Sequence, residues 1–85
     1  MKSFLVSSNI DTTQGLEALD VNLPITAESR RSACLQYTIE CGFGDGGFAG
    51  IVDIGTEDNP CTRYCIVGSK SKLFVYVSPR KPTYQ

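Results

Sequence analysis

The chain lacks histidine and tryptophan altogether, and it has one methionine and four prolines in 85 residues. Without histidine, the commonest general base, metal ligand and physiological-pH switch is missing, and most hydrolytic triads and zinc catalysis go with it. No apolar run approaches the roughly 20 residues that a membrane-spanning helix needs. Long repeats, low-complexity tracts and interior linkers are also missing from the sequence. The opening Met1-Lys2-Ser3-Phe4-Leu5-Val6-Ser7-Ser8 holds three consecutive apolar residues, against roughly 7 to 15 in the core of a signal peptide. The expected compartment is therefore intracellular or a virion if Met1 is the native start. It is extracellular if a leader was removed ahead of it.

What remains is ordinary globular material. Hydrophobic residues at 41%, charged residues at 20% and a mean hydropathy of -0.08 argue against wholesale disorder, collagen-like sequence and coiled coil. At 9.2 kDa the chain makes one domain, because two units of this total size would each be too small to bury a core.

The periodicity predicts strands almost throughout. Ser3 to Ser8 has strand length, and Leu19, Val21, Leu23 and Ile25 are apolar in phase, the pattern of a half-buried strand. Pro24 within it cannot donate to a ladder, which predicts a sheet edge. Odd positions Ala33, Leu35, Tyr37, Ile39 and Cys41 are apolar, predicting a further strand with Cys41 facing the core and Cys34 the opposite side. Phe48 to Ile54, Tyr64 to Val67 and Leu73 to Val77 complete the set, the first joined to its predecessor by a glycine-rich hairpin and the last two forming a second hairpin around Gly68 to Lys72. Asp11-Thr12-Thr13-Gln14 has the form of a capped helix start. The expected fold is thus all-β, a small antiparallel sandwich or barrel of about six strands spanning residues 1–78, with at most one short helix near residues 12–18.

Cys34, Cys41, Cys61 and Cys65 allow two disulfides or four thiols. Cys34 and Cys41 on one strand would stand about 23 Å apart, far beyond bridging distance. Cross-pairing between the two groups is the expected oxidised form, and four partly buried thiols the expected reduced one.

Gly42-Phe43-Gly44-Asp45-Gly46-Gly47 matches G-x-G-x-x-G. A dinucleotide site needs a helix to begin there, and the residues that follow have strand character. The loop reads as a hairpin tip, with Phe43 and Asp45 offered to a partner. Asp53, Glu57 and Asp58 fit a solvated turn better than a pair of opposed catalytic carboxyls. No cofactor and no metal is implied.

Charge is unevenly distributed. Residues 1–61 hold three basic residues against all nine acidic ones, a net of -6, while residues 62–85 hold five basic residues and no acid, a net of +5. Residues 79–85 include Arg80, Lys81 and Tyr84 between and beyond two of the prolines, a composition that predicts an extended basic arm able to grip a neighbour. The leading expectation is a non-enzymatic protein-interaction module, a small structural or surface-attached subunit of an oligomer or larger assembly such as a virion. It would contact its partner through Phe43, Asp45, Arg80, Lys81 and Tyr84. A secreted effector, toxin or inhibitor stapled by disulfides is the alternative. A third is single-stranded nucleic-acid binding through the basic carboxy-terminal end, against which the overall pI of 5.2 weighs.

Overall fold

The computed structural model describes residues 1–43, 47–68 and 71–80. Strand-dominated antiparallel architecture is what the chain adopts. The strands are β1 (Lys2–Thr12), β2 (Gly15–Ala27), β3 (Gly47–Asp53), β4 (Thr62–Val67) and β5 (Lys72–Pro79), and one helix, α1 (Arg30–Glu40), stands between β2 and β3. All five strands join one sheet in the order β2-β1-β5-β4-β3. The core is closed by α1 lying on one face, and among the described residues the helix stands in place of the second layer of strands of the expected sandwich or barrel.

The region expected to be a strand, Ala33 to Cys41, is the helix. The same residues satisfy two periods. Ala33, Cys34, Tyr37 and Thr38 are buried, a spacing that makes one face at 3.6 residues per turn. Caps decide between them. The Ser29 side chain accepts from the Ser32 amide at 3.2 Å, satisfying one of the unpaired first-turn donors. At the other end Gly42, with φ +89°, lets its own amide reach the Ile39 carbonyl at 3.2 Å and the Phe43 amide reach the Thr38 carbonyl at 2.7 Å. That is a Schellman closure, and the left-handed backbone it requires favours glycine. Leu35 and Ile39, the apolar residues that suggested a strand, are left exposed.

The expected helix near residues 12–18 is instead a tight hairpin. Thr12 pairs with Gly15, whose φ of +113° lets the chain reverse. Thr12 Oγ1 donates to the Gly15 carbonyl at 2.9 Å and accepts from the Gln14 amide at 3.2 Å. β2 lies at the sheet edge, as Pro24 predicts. Only Leu23 and Ile25 of its apolar series turn inward, because register shifts against Val6 to Asn9 break the phase. At that bulge Asn22 has φ +51° and its amide is diverted to Ser7 Oγ at 3.1 Å. Leu19 and Val21 consequently face solvent. Thirteen residues of β2 at roughly 3.3 Å each reach about 43 Å, which accounts for the 44 Å long axis. The helix is far shorter, so the β1–β2 hairpin overhangs the core.

β4 and β5 alternate cleanly. Thr62, Tyr64 and Ile66 with Leu73, Val75 and Val77 turn toward the helix and join Phe4, Val6, Ile25, Ala27, Ala33 and Cys34 in one buried cluster. A buried polar side chain also crosses this interface. The buried Tyr37 hydroxyl, on α1, donates to Asp20 Oδ2 at 2.5 Å and is also hydrogen-bonded to the buried Ser8 hydroxyl. It ties the helix to β1 and β2 together.

Candidate functional site

Because β4 and β5 are paired and send their apolar residues to the core, every charge and aromatic at the alternate positions falls on the opposite face. That face carries Arg63, Cys65 and Val67 from β4, Lys72, Phe74, Tyr76 and Ser78 from β5, and Leu5, Ser7, Asn9 and Asp11 from β1. No element covers it among the described residues. Phe74 sits between Asn9 and Cys65, and Tyr76 between Ser7 and Arg63. The Arg63 guanidinium lies over the Phe74 ring at 5.8 Å, within cation–π range. Arg80 continues β5, its amide donating to the Ser3 carbonyl at 2.9 Å. Arg80 also lines a concavity of about 540 Å³ at this end of the sheet, shared with Leu5, Asn22, Asn59, Pro60, Cys61, Ser78 and Pro79. Arg63 and Lys72 share this face with one strand acid, Asp11, which is paired with Lys72 across the ladder, and Arg80 stands at the other end of β5, where it also lines a cavity with Glu28. The acidic bulk of the sequence lies elsewhere.

A second exposed feature is the β3 edge. The two outer strands differ. β2 carries Pro24, Asn22 with its left-handed backbone and two register shifts, all of which blunt an edge against pairing. β3 has one bulge, at Ala49 between Phe48 and Gly50, and then runs regularly from Gly50 to Asp53. Ile51, Val52 and the following Ile54 are exposed, on both faces of the strand. Arg31 lies over the Phe48 ring at 5.1 Å, so the helical row Arg31, Leu35, Ile39 runs on the β3 side of α1. The edge therefore has an apolar flank above it, Leu35 and Ile39, as well as apolar side chains of its own.

A third feature is a polar chain under the helix start. Arg30 donates to Thr62 Oγ1 at 2.9 Å, and Thr62 donates to Asp53 Oδ1 at 3.0 Å. Arg30 and Asp53 approach to 3.9 Å. Arg30 and Asp53 line a cleft of about 240 Å³ with Glu57 and Cys61. The chain fastens α1 to β3 and β4. Its carboxylate is bound by a hydroxyl and a guanidinium, which hold the start of α1 against the sheet.

All four cysteines are free thiols. The helix separates one of the possible cross-pairs. Cys34 faces the core from α1, whereas Cys65 lies on the far side of the sheet. Burial pushes the Cys34 thiol up to about 12, Cys41 adding to the effect and Arg31 opposing it. Burial also raises Cys41. Since the thiolate is the reactive form, iodoacetamide at pH 8 should label Cys61 and Cys65 in the folded protein and leave Cys34 unmodified, all four reacting in denaturant. Peptide mass spectrometry reads this directly. Labelling of Cys34 as fast as Cys65 would mean that the helix does not stay docked.

Of the residues expected to meet a partner, Phe43 packs against the core and lies close to Gly68, so it serves the fold. Arg80 is exposed at the end of β5. Asp45, Lys81 and Tyr84 lie outside the described residues. Phe74 and Tyr76 are brought together with Arg63 and Lys72, while the neighbouring aromatic Tyr64 is buried on the opposite face. The β3 edge was hidden in the sequence, where Ile51 to Ile54 reads like any other apolar strand. No family model, no curated protein and no solved structure matches the chain.

Proposed function

We propose that the chain is a non-catalytic interaction module that builds an assembly by pairing its β3 edge with β3 of a second copy. The observation that carries this reading is the contrast between the two edges: β2 is blunted, and β3 leaves Ile51, Val52 and Ile54 exposed beside an unpaired ladder. An open apolar edge templates another strand. Charge supports a like partner. In an antiparallel pair centred on Ile51, Asp53 of one copy falls opposite Ala49 of the other, next to Phe48, over which Arg31 lies. Each end of such a pair thus joins one cation to one carboxylate, and the two Asp53 side chains are kept apart. The flanking Leu35 and Ile39 supply apolar area beyond the ladder.

Size-exclusion chromatography with light scattering tests the reading. The native protein at tens of micromolar should run at twice 9.2 kDa, and Ile51→Lys at the single-chain mass with an unchanged circular dichroism spectrum. A native protein that stays monomeric at every concentration would overturn it, as would an oligomer that Ile51→Lys leaves intact.

A further inference from the structure

We infer that the uncovered sheet face is a binding site for single-stranded nucleic acid, distinct from the β3 edge. Four observations converge on it. Phe74 and Tyr76 occupy alternate positions of the central strand β5 and project to the same, helix-free side. At about 3.3 Å per residue they stand roughly 7 Å apart, which gives neighbouring unstacked bases one ring each, the arrangement by which sheet platforms hold single strands. The ring of Phe74 already receives a planar cation, Arg63, at 5.8 Å, and bases stack on guanidinium planes as they do on aromatic ones.

Charge is the second observation. Overall the protein is acidic, with a net charge of -1, yet the strands of this face hold Arg63 and Lys72 against Asp11 alone, and Arg80 lines the concavity at its end. Phosphates would meet a locally cationic surface. Third, Ser7 and Asn9 flank the two rings on β1, and their side chains can donate to and accept from base edges. Fourth, the concavity of about 540 Å³ bounded by Leu5, Asn22, Ser78 and Arg80 lies at the end of the same face, deep enough to receive a nucleotide beyond the two stacked ones. A double helix offers no exposed base faces to the rings, so single strands are the preferred form.

The test is fluorescence anisotropy of labelled 12-nucleotide oligo-dT and oligo-U at low salt, with a duplex of the same length alongside. Binding of the single strands is expected. It should weaken with salt at a slope of about -2 in log–log form, as for roughly three neutralised phosphates. Phe74→Leu and Tyr76→Leu keep the strand apolar and should each weaken binding on the order of 10-fold. Cys65, paired directly with Phe74, serves as a reporter, and bound oligonucleotide should slow its alkylation. Absence of binding at low salt, equal preference for duplex, or binding that neither ring substitution weakens would each overturn the inference. So would binding that leaves Cys65 unprotected, or loss of an oligomer on Phe74→Leu, which would make this face a protein contact.

Discussion

Leu73→Ala should destabilise the protein by about 2 to 5 kcal/mol, through lost transfer energy and the cavity left behind. Leu73 is fully buried, lies on the central strand β5, and pairs with Ile10 on one side and Ile66 on the other. An 85-residue domain holds roughly 4 to 13 kcal/mol in all, so this one truncation removes a large share. Leu19→Ala is the matched control. Its side chain lies on the overhanging part of β2 and is 45% exposed, and its cost should stay near the half-kilocalorie level of surface changes. Urea midpoints compare the two directly, provided the slopes agree. Equal shifts would mean that the helix does not cover the sheet where it is placed. The functional consequence follows from adjacency. Phe74 is the next residue on the same strand, and β4, which carries Arg63 and holds β3, is the next strand over, so loss of the central ladder removes the open face and the free edge together.

Legibility in the sequence varied with how many periods a segment satisfied. β4 and β5 fit period 2 and nothing else, and their reading survived with boundaries shifted by a residue or two. Residues 33–41 fit both period 2 and period 3.6. The tie was broken by Ser29 and Gly42 at the ends, and by a composition rich in helix formers such as Arg30, Arg31, Ala33, Leu35 and Gln36. Those cap signals were present in the sequence and outweigh the alternation. The phase error in β2 has another origin. Nothing local announces the bulge at Asn22, which arises from fitting β2 to β1 around Ser7. The site was legible only as a charge asymmetry. That Arg63, Lys72, Phe74 and Tyr76 would share one face depends on β4 and β5 being neighbours in the sheet, which the hairpin predicts, and on the other face being sealed by a helix, which period 2 alone conceals.

Stability should fall as pH rises from 9 to 12, and groups raised by burial account for the direction, Tyr37 and Cys34 most strongly, with Cys41 and Tyr64 acting in the same sense. Burial, and then the hydrogen bond to Asp20, pushes Tyr37 from its ordinary 10.0 up to about 12, the Ser8 hydroxyl opposing. Burial pushes Cys34 from 9.0 up to about 12. Both folded-state values lie above the unfolded ones, so both neutral forms favour the folded state. In the interval between, the unfolded chain has released protons that the folded chain retains, and proton linkage then makes unfolding easier with each step in pH. The contribution is complete below pH 9 and is lost on passing the folded values near 12. Thermal midpoints measured across this range should decline for the native protein. Tyr37→Phe should start lower, by about 1 to 3 kcal/mol, because it leaves Asp20 and Ser8 without their shared partner. Combined with Cys34→Ala, it should also decline less steeply. The tyrosinate absorbance offers an independent reading, since two of the four tyrosines, Tyr37 and Tyr64, are raised by burial and should ionise late, and the late phase should shrink in Tyr37→Phe. An unchanged alkaline slope in the double variant would place the sensitive groups outside the helix–sheet contact. A shallower slope would make Tyr37 and Cys34 the groups through which alkali releases α1 from the sheet, and the face on the far side would then lose the support that keeps Phe74 and Tyr76 in line.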